Sequence, residues 1–125
     1  MTARIPASNI AIRRVYDKAL QDGRARVLVD RLWPRGVSKR DAAIDHWFKD
    51  IAPSDDLRRW FDHDPARWEA FCRRYRLELA AQAPLLQRLR AMARAAPLTL
   101  VYGARNDANN NAVALRRILL GRPIA

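Results

Sequence analysis

Apolar residues along this chain fall into blocks of two kinds, interspersed along the sequence. Continuous runs rich in β-branched and aromatic residues occur at 10–16 (Ile10-Ala11-Ile12-Arg13-Arg14-Val15-Tyr16), at 26–30 around Val27-Leu28-Val29, and at 98–102 (Leu98-Thr99-Leu100-Val101-Tyr102). Runs of this length and make-up predict strands, the last two buried on both faces. Between and after them, apolar residues recur at helical spacing. Trp68, Phe71, Cys72, Tyr75 and Leu79 form one stripe in a helix predicted from Asp64-Pro65 to about residue 81. Leu85, Leu86, Leu89, Met92 and Ala93 form a second, at 84–95, and Ala112, Val113, Leu115, Leu119 and Leu120 a third, at about 109–120.

Punctuation sharpens these boundaries. Asp22-Gly23 marks a turn, and Trp33-Pro34-Arg35-Gly36 stops the second strand, since Pro34 lacks an N–H and Gly36 admits unusual backbone angles. Ser38-Lys39-Arg40-Asp41 resembles a capping box and predicts a short helix at about 38–43. Ser54 caps a predicted helix at 55–61 whose face is Leu57, Trp60 and Phe61, and Asp64-Pro65 pairs a capping acid with proline at the first helical position. Residues 44–52 fit a helical stripe through Ile44, Trp47, Phe48 and Ile51 or a short strand at 45–48, and the extended reading is preferred. Trp47, Trp60 and Trp68 are expected in the core. The order of strands and crossover-length helices implies an α/β fold: a single compact domain at 10–122, with a small, mostly parallel sheet flanked by helices and a flexible tail at 1–9.

Composition changes this picture in two respects. The formal net charge is +11, and arginine supplies 21 of the 24 basic residues. Such a charge attracts nucleic acid, nucleotides or anionic lipid, although a GC-rich coding sequence also yields many arginines and alanines, and no block or tail concentrates the charge. Cys72 is the lone cysteine of the 125 residues, so no intrachain disulfide is expected, which suits a reducing, cytoplasmic setting. No apolar run approaches a membrane span and no secretory leader is apparent, so no membrane partner is expected. The oligomeric state is not legible.

Candidate chemistry gathers where two buried strands run into polar loops. The first loop is Asp30-Arg31-Leu32-Trp33-Pro34-Arg35-Gly36 and the second is Gly103 to Asn111. In open parallel sheets ligands bind beyond the carboxyl ends of strands. If the two strands are neighbours, Asp30, Arg31, Arg35, Arg105, Asp107 and Asn109 converge. Arginine offers a planar fork to phosphate or carboxylate, and the start of the last helix adds amide donors. The candidate ligand-binding set is Arg31, Trp33, Arg35, Gly36, Ser54, Tyr102, Arg105, Asn109 and Asn110, with Asp30 and Asp107 as candidate proton-transfer groups. Structural roles compete at each: an ion pair for Asp30 with Arg31, and a helix cap for Asp107, Asn109 or Asn110. His63, between Asp62 and Asp64, is read as a solvated loop histidine, and Cys72 as a buried inert thiol. No glycine-rich phosphate loop, nucleophile elbow or zinc spacing is present, so no cofactor and no metal is expected.

The runs RVLVDRLWPRGVSK, DHWFKDIAPS, LRRWFDHDPARWEAFCRRYRLEL and LTLVYGARN, followed by NNA, occur in order over about residues 10–120. Together they resemble the YeaO-like family of bacterial domain-of-unknown-function proteins. The resemblance implies a compact α/β domain of this length and no established activity. It places Asp30, Arg31, Trp33, Pro34, Arg35 and Gly36 in the family's most recognisable motif, and Pro53-Ser54 and the 105–111 loop in others. The expectation is a binder of a small anionic ligand, a nucleotide or a phosphorylated metabolite, with or without catalysis. The alternative is a nucleic-acid-binding module using the basic surface.

Overall fold

The computed structural model describes residues 4–122 as one α/β domain. Four strands, β1 (Ile10–Arg14), β2 (Ala25–Leu28), β3 (His46–Trp47) and β4 (Leu98–Tyr102), form a sheet of order β1-β4-β2-β3. All three pairings are parallel, with Leu98 opposite both Ile10 and Ala25, and Val27 opposite His46. Alternate residues point to opposite faces, and the two faces are covered very differently. Ile10, Val27, Val29, Leu98, Leu100 and Tyr102 join the main core with the helices α2 (Asp55–Phe61), α3 (Trp68–Ala80), α4 (Ala83–Ala95) and α5 (Asn111–Leu119). Val15, Leu28 and Val101 face a smaller cluster roofed by Ala42 of α1 (Lys39–Ala42) with Trp33, Val37 and Ile44.

Local chemistry sets these boundaries. The Ser38 hydroxyl accepts the Asp41 amide at 3.0 Å and starts α1, while Ser54 accepts the Leu57 amide at 3.1 Å and starts α2. Asp64 caps a 3-10 turn at Pro65–Arg67 that leads into α3, so the helix predicted from residue 64 begins one tight turn later. The predicted stripe of α3 is buried throughout, from Trp68 to Leu79. In the ambiguous segment, the extended reading holds for His46–Trp47, and a 3-10 turn follows at Lys49–Ile51. Trp47 is a correction: it is 39% exposed on the edge strand, because a two-residue strand at a sheet edge has no layer to cover its outer face. Within the expected tail, Ala7–Asn9 form a 3-10 turn, the Asn9 amide donates to the Ala93 carbonyl at 2.7 Å, and residues 1–3 lie outside the described residues.

The sheet order positions the site. After β2 the chain turns to the thinly covered face and builds α1; after β4 it turns to the helical face and builds α5. Neighbouring parallel strands whose connections leave to opposite faces open a crevice at their carboxyl ends.

Candidate functional site

Asp30, two residues beyond β2, holds that crevice together. Its Oδ2 accepts the Gly103 amide at 2.8 Å and its Oδ1 accepts Nδ2 of Asn111 at 3.0 Å. The same Asn111 amide also donates to the Val29 carbonyl at 3.0 Å, and the Trp47 indole donates to the Asp30 carbonyl at 2.7 Å. One aspartate therefore ties the ends of β2, β3 and β4 to the first residue of α5. A Cβ at Gly103 would lie 3.0 Å from Asp30 Oδ2, so glycine is what lets the carboxylate reach the β4 amide. Burial pushes the Asp30 carboxyl above the usual carboxylate range, while the bonds from Asn111 and Gly103 pull it back down.

Beside this clasp lies a cavity of about 240 Å³. Phe61 of α2, Phe71 of α3, Ala52 and Pro53 give it apolar walls, and Arg31, Arg58, His63 and Asn109 supply polar groups. Arg31 makes one long bond, 3.4 Å from Nη2 to the Ala52 carbonyl, and its Nε is buried with no partner among the described residues. Arg58 pairs with Asp55 at 3.1 Å, with both side chains more than half exposed; such a surface pair is held weakly. His63 is presented by an unusual turn. Asp62 ends α2 at φ 48° and His63 follows at φ 54°, two successive non-glycine residues in the left-handed region. That conformation costs roughly 1–2 kcal/mol per residue, and such strain concentrates where a side chain must be aimed.

The asparagines of the second loop divide the work. Asn106 Oδ1 accepts the amides of Ala108 and Asn109, both at 2.9 Å, and fixes the turn. Asn110, 3% exposed, caps α5 by accepting the Val113 amide at 3.0 Å and donates to the Asn106 carbonyl. Asn111 completes the Asp30 clasp. Asn109 lines the cavity, and its side chain bonds to no other described residue.

The structure thus brings together Asp30, Arg31, Asn109 and Asn110 from the predicted set. The others stand elsewhere. Arg35 and Arg105 are exposed and outside the cavity wall, as is Asp107. The Arg35 carbonyl accepts the Tyr16 hydroxyl at 3.0 Å, and Gly36, at φ 74°, makes the turn that follows. Trp33 donates its indole N–H to the Val37 carbonyl at 2.8 Å and packs edge-on to Trp47 with ring centroids 5.6 Å apart. Tyr102 is buried in the main core. Ser54, besides capping α2, donates its amide and hydroxyl to Glu78 of α3. Sequence reasoning passed over Arg58, while His63, read there as a solvated loop histidine, is exposed as expected and stands at the cavity rim. Arg58 lies off the Leu57-Trp60-Phe61 stripe, and nothing local says that the turn after α2 folds over the sheet.

The same geometry limits the chemistry. Both oxygens of Asp30 are engaged, so it acts as a brace rather than a free base. The Cys72 thiol is buried in the core, where burial pushes it up to about 11. Among the described residues, no three His, Cys, Asp or Glu side chains gather in a way that could hold a metal ion, and no helix is long and apolar enough to cross a membrane.

A family model described as the inactive DUF488-N3 subclade matches residues 9–123. The chain belongs to that subclade. It is 45% identical over 107 residues to the uncharacterized protein YeaO of Escherichia coli K12, spanning 86% of this chain and 93% of that protein. It is 39% identical over 115 residues to the uncharacterized protein Rv3073c of Mycobacterium tuberculosis H37Rv, spanning 92% and 97%. The YeaO-like resemblance read from the motifs therefore holds. No solved structure matches the chain.

Proposed function

We propose that the domain, taken as residues 10–122, is a cytoplasmic binder of a small anionic metabolite, seated in the cavity at the carboxyl ends of β2 and β4. The observation that carries this reading is Arg31. Arg31 lines the cavity, its Nε is buried with no acceptor among the described residues, and the adjacent Asp30 carboxylate has both oxygens committed to Gly103 and Asn111. A buried guanidinium N–H without a partner is costly, and an anionic oxygen entering the cavity supplies the missing acceptor. Arg58 adds a second cation by leaving Asp55, and His63 and Asn109 add hydrogen bonds around the rim.

Size narrows the ligand. About 240 Å³ falls just short of the roughly 300–1,000 Å³ typical of sites that enclose a drug-sized molecule. A phosphate or carboxylate on a compact carbon frame fits; a whole nucleotide would leave much of itself in solvent. The apolar walls from Phe61 and Phe71 favour an organic anion over bare phosphate. Binding without turnover is preferred to catalysis, because the acid beside the cavity is structurally engaged and the family is described as inactive.

Thermal-shift measurement of the full chain against small phosphorylated and carboxylated metabolites tests this. At least one is expected to raise the melting temperature in the wild type, and Arg31→Gln should abolish the rise. A panel without response, or a response that survives Arg31→Gln together with Arg58→Gln, rejects the reading.

A further inference from the structure

A second site lies at the opposite, amino-terminal end of the sheet. The segment preceding β1, the last turns of α4 and the end of α5 enclose a trough of about 660 Å³. Arg4, Arg90, Arg94 and Arg122 line it, and among the described residues no acidic one does. Among the described residues every salt bridge involves Arg58, Arg59 or Arg67 at the other end of the molecule, so none of these four arginines meets a carboxylate. We propose that this trough holds the phosphodiester backbone of a nucleic acid, read by charge and shape and without base recognition.

Structural duty accounts for part of the cluster only. Arg90 donates to the Ile118 and Leu119 carbonyls at 3.0 and 3.4 Å, which closes the end of α5. Neighbouring Arg116 donates to the Ile10 and Ala7 carbonyls at 2.7 and 2.9 Å, tying α5 to the start of β1. The side chains of Arg4, Arg94 and Arg122 donate to no described residue. The carboxyl ends of α4 and α5 both point here, and each carries about half a negative charge. Two such ends offset about one of the four guanidinium charges, so the described residues leave most of the positive field uncompensated. Arg90 and Arg116 register this: burial and then like-charged neighbours, Arg94 and Arg76 for the first and Arg122 for the second, lower both from the usual arginine value.

The shape and lining select the partner. A trough of this volume is too open for a single phosphate and suits a strand laid along it. The exposed large apolar residues among those described, Tyr16, Leu20, Leu32, Trp47 and Leu77, all lie outside the trough, and its own apolar residues, Ile5, Leu119 and Leu120, are buried or half-buried, so among the described residues it presents no protruding apolar anchor for a membrane surface. It contains no aromatic ring, hence no platform for base stacking. Arginine forks suit phosphate oxygens.

Fluorescence anisotropy of the full chain with a labelled single-stranded DNA and its duplex, over a salt series, tests the proposal. Four phosphate contacts predict a log–log salt slope of about −3, at roughly 0.7–0.9 per contact. Arg94→Gln with Arg122→Gln should weaken binding at least about tenfold at low salt and bring the slope towards about −1.5, with the wild-type melting temperature kept. The corresponding lysine pair should keep most of the slope, and Arg58→Gln, in the other cavity, should leave DNA binding unchanged. Absence of DNA binding, an unchanged slope in the glutamine pair, or capture of phosphatidylglycerol vesicles in preference to DNA would overturn it. Should the glutamine pair fold poorly, Arg94→Gln alone carries the test through a slope reduced by about 0.8.

Discussion

The two ends of the sheet use arginine in opposite ways. At the carboxyl end, Arg58 pairs with Asp55, the Asp30 carboxylate is held by Gly103 and Asn111 rather than by Arg31, and the polar groups surround a small cavity with phenylalanine walls. At the amino end, Arg90 and Arg116 fasten helix and strand ends through backbone carbonyls, and among the described residues no carboxylate lines the trough beside them. The difference teaches that a guanidinium's role is set by what its N–H groups meet, which composition does not record.

Mutations at the two ends should therefore behave differently. The largest effect is expected from Asp30→Ala, which strips acceptors from the Gly103 amide and the Asn111 side chain. Two lost charge-assisted bonds correspond to about 3–6 kcal/mol, read as a lower urea midpoint with unchanged slope. Gly103→Ala comes next, at about 1–3 kcal/mol, since its methyl group would crowd the Asp30 carboxylate at 3.0 Å. His63→Gly should stabilise the fold by up to about 1 kcal/mol through relief at φ 54°, while weakening ligand binding. Loss of stability there would argue that the turn is ordinary packing. At the amino end, Arg94→Gln should change stability by no more than about 0.5 kcal/mol, because that side chain holds no described partner. A large loss would erase the contrast between the ends.

Acid titration sharpens the same contrast. Because burial raises the Asp30 carboxyl in the folded state, the folded chain takes up this proton at a higher pH than the unfolded chain. The contribution to stability is complete below the unfolded value, near pH 3.9, and is lost as pH rises through the raised folded value. Asp30→Asn removes that dependence. The difference in unfolding free energy between wild type and Asp30→Asn should therefore move in favour of the wild type as pH falls from neutrality towards about pH 4. A difference independent of pH would place Asp30 in a more solvated setting.

Most of the fold is legible in the sequence because its signals are local. β4 occupies the predicted 98–102, α2 the predicted 55–61, and Ser38, Ser54, Asp64 and Asn110 all cap turns or helices. The site is only half legible. Asp30, Arg31 and Asn109 follow from the rule that ligands gather at strand ends, once β2 and β4 are neighbours. Arg58, and the place of His63 at the cavity rim, were hidden because both depend on how the chain beyond β3 folds back over the sheet, a long-range matter that no periodicity encodes. Arg35 and Arg105 share a loop with cavity residues yet point elsewhere, since adjacent loop residues face different directions. Trp47 shows the opposite failure: a large aromatic suggests core, but on a two-residue edge strand it stays exposed and spends its indole N–H on the Asp30 carbonyl.

The most direct test of the cavity is a backbone NMR titration of the full chain with the small anionic metabolite that gives the largest thermal shift. Amides of Arg31, His63, Asn109 and Gly103 should move together along one saturating curve, and Arg31→Gln should flatten that curve. Shifts confined to Arg90, Arg94 and Arg122, with the carboxyl-end amides unmoved, would contradict it and leave the Asp30 clasp as architecture alone.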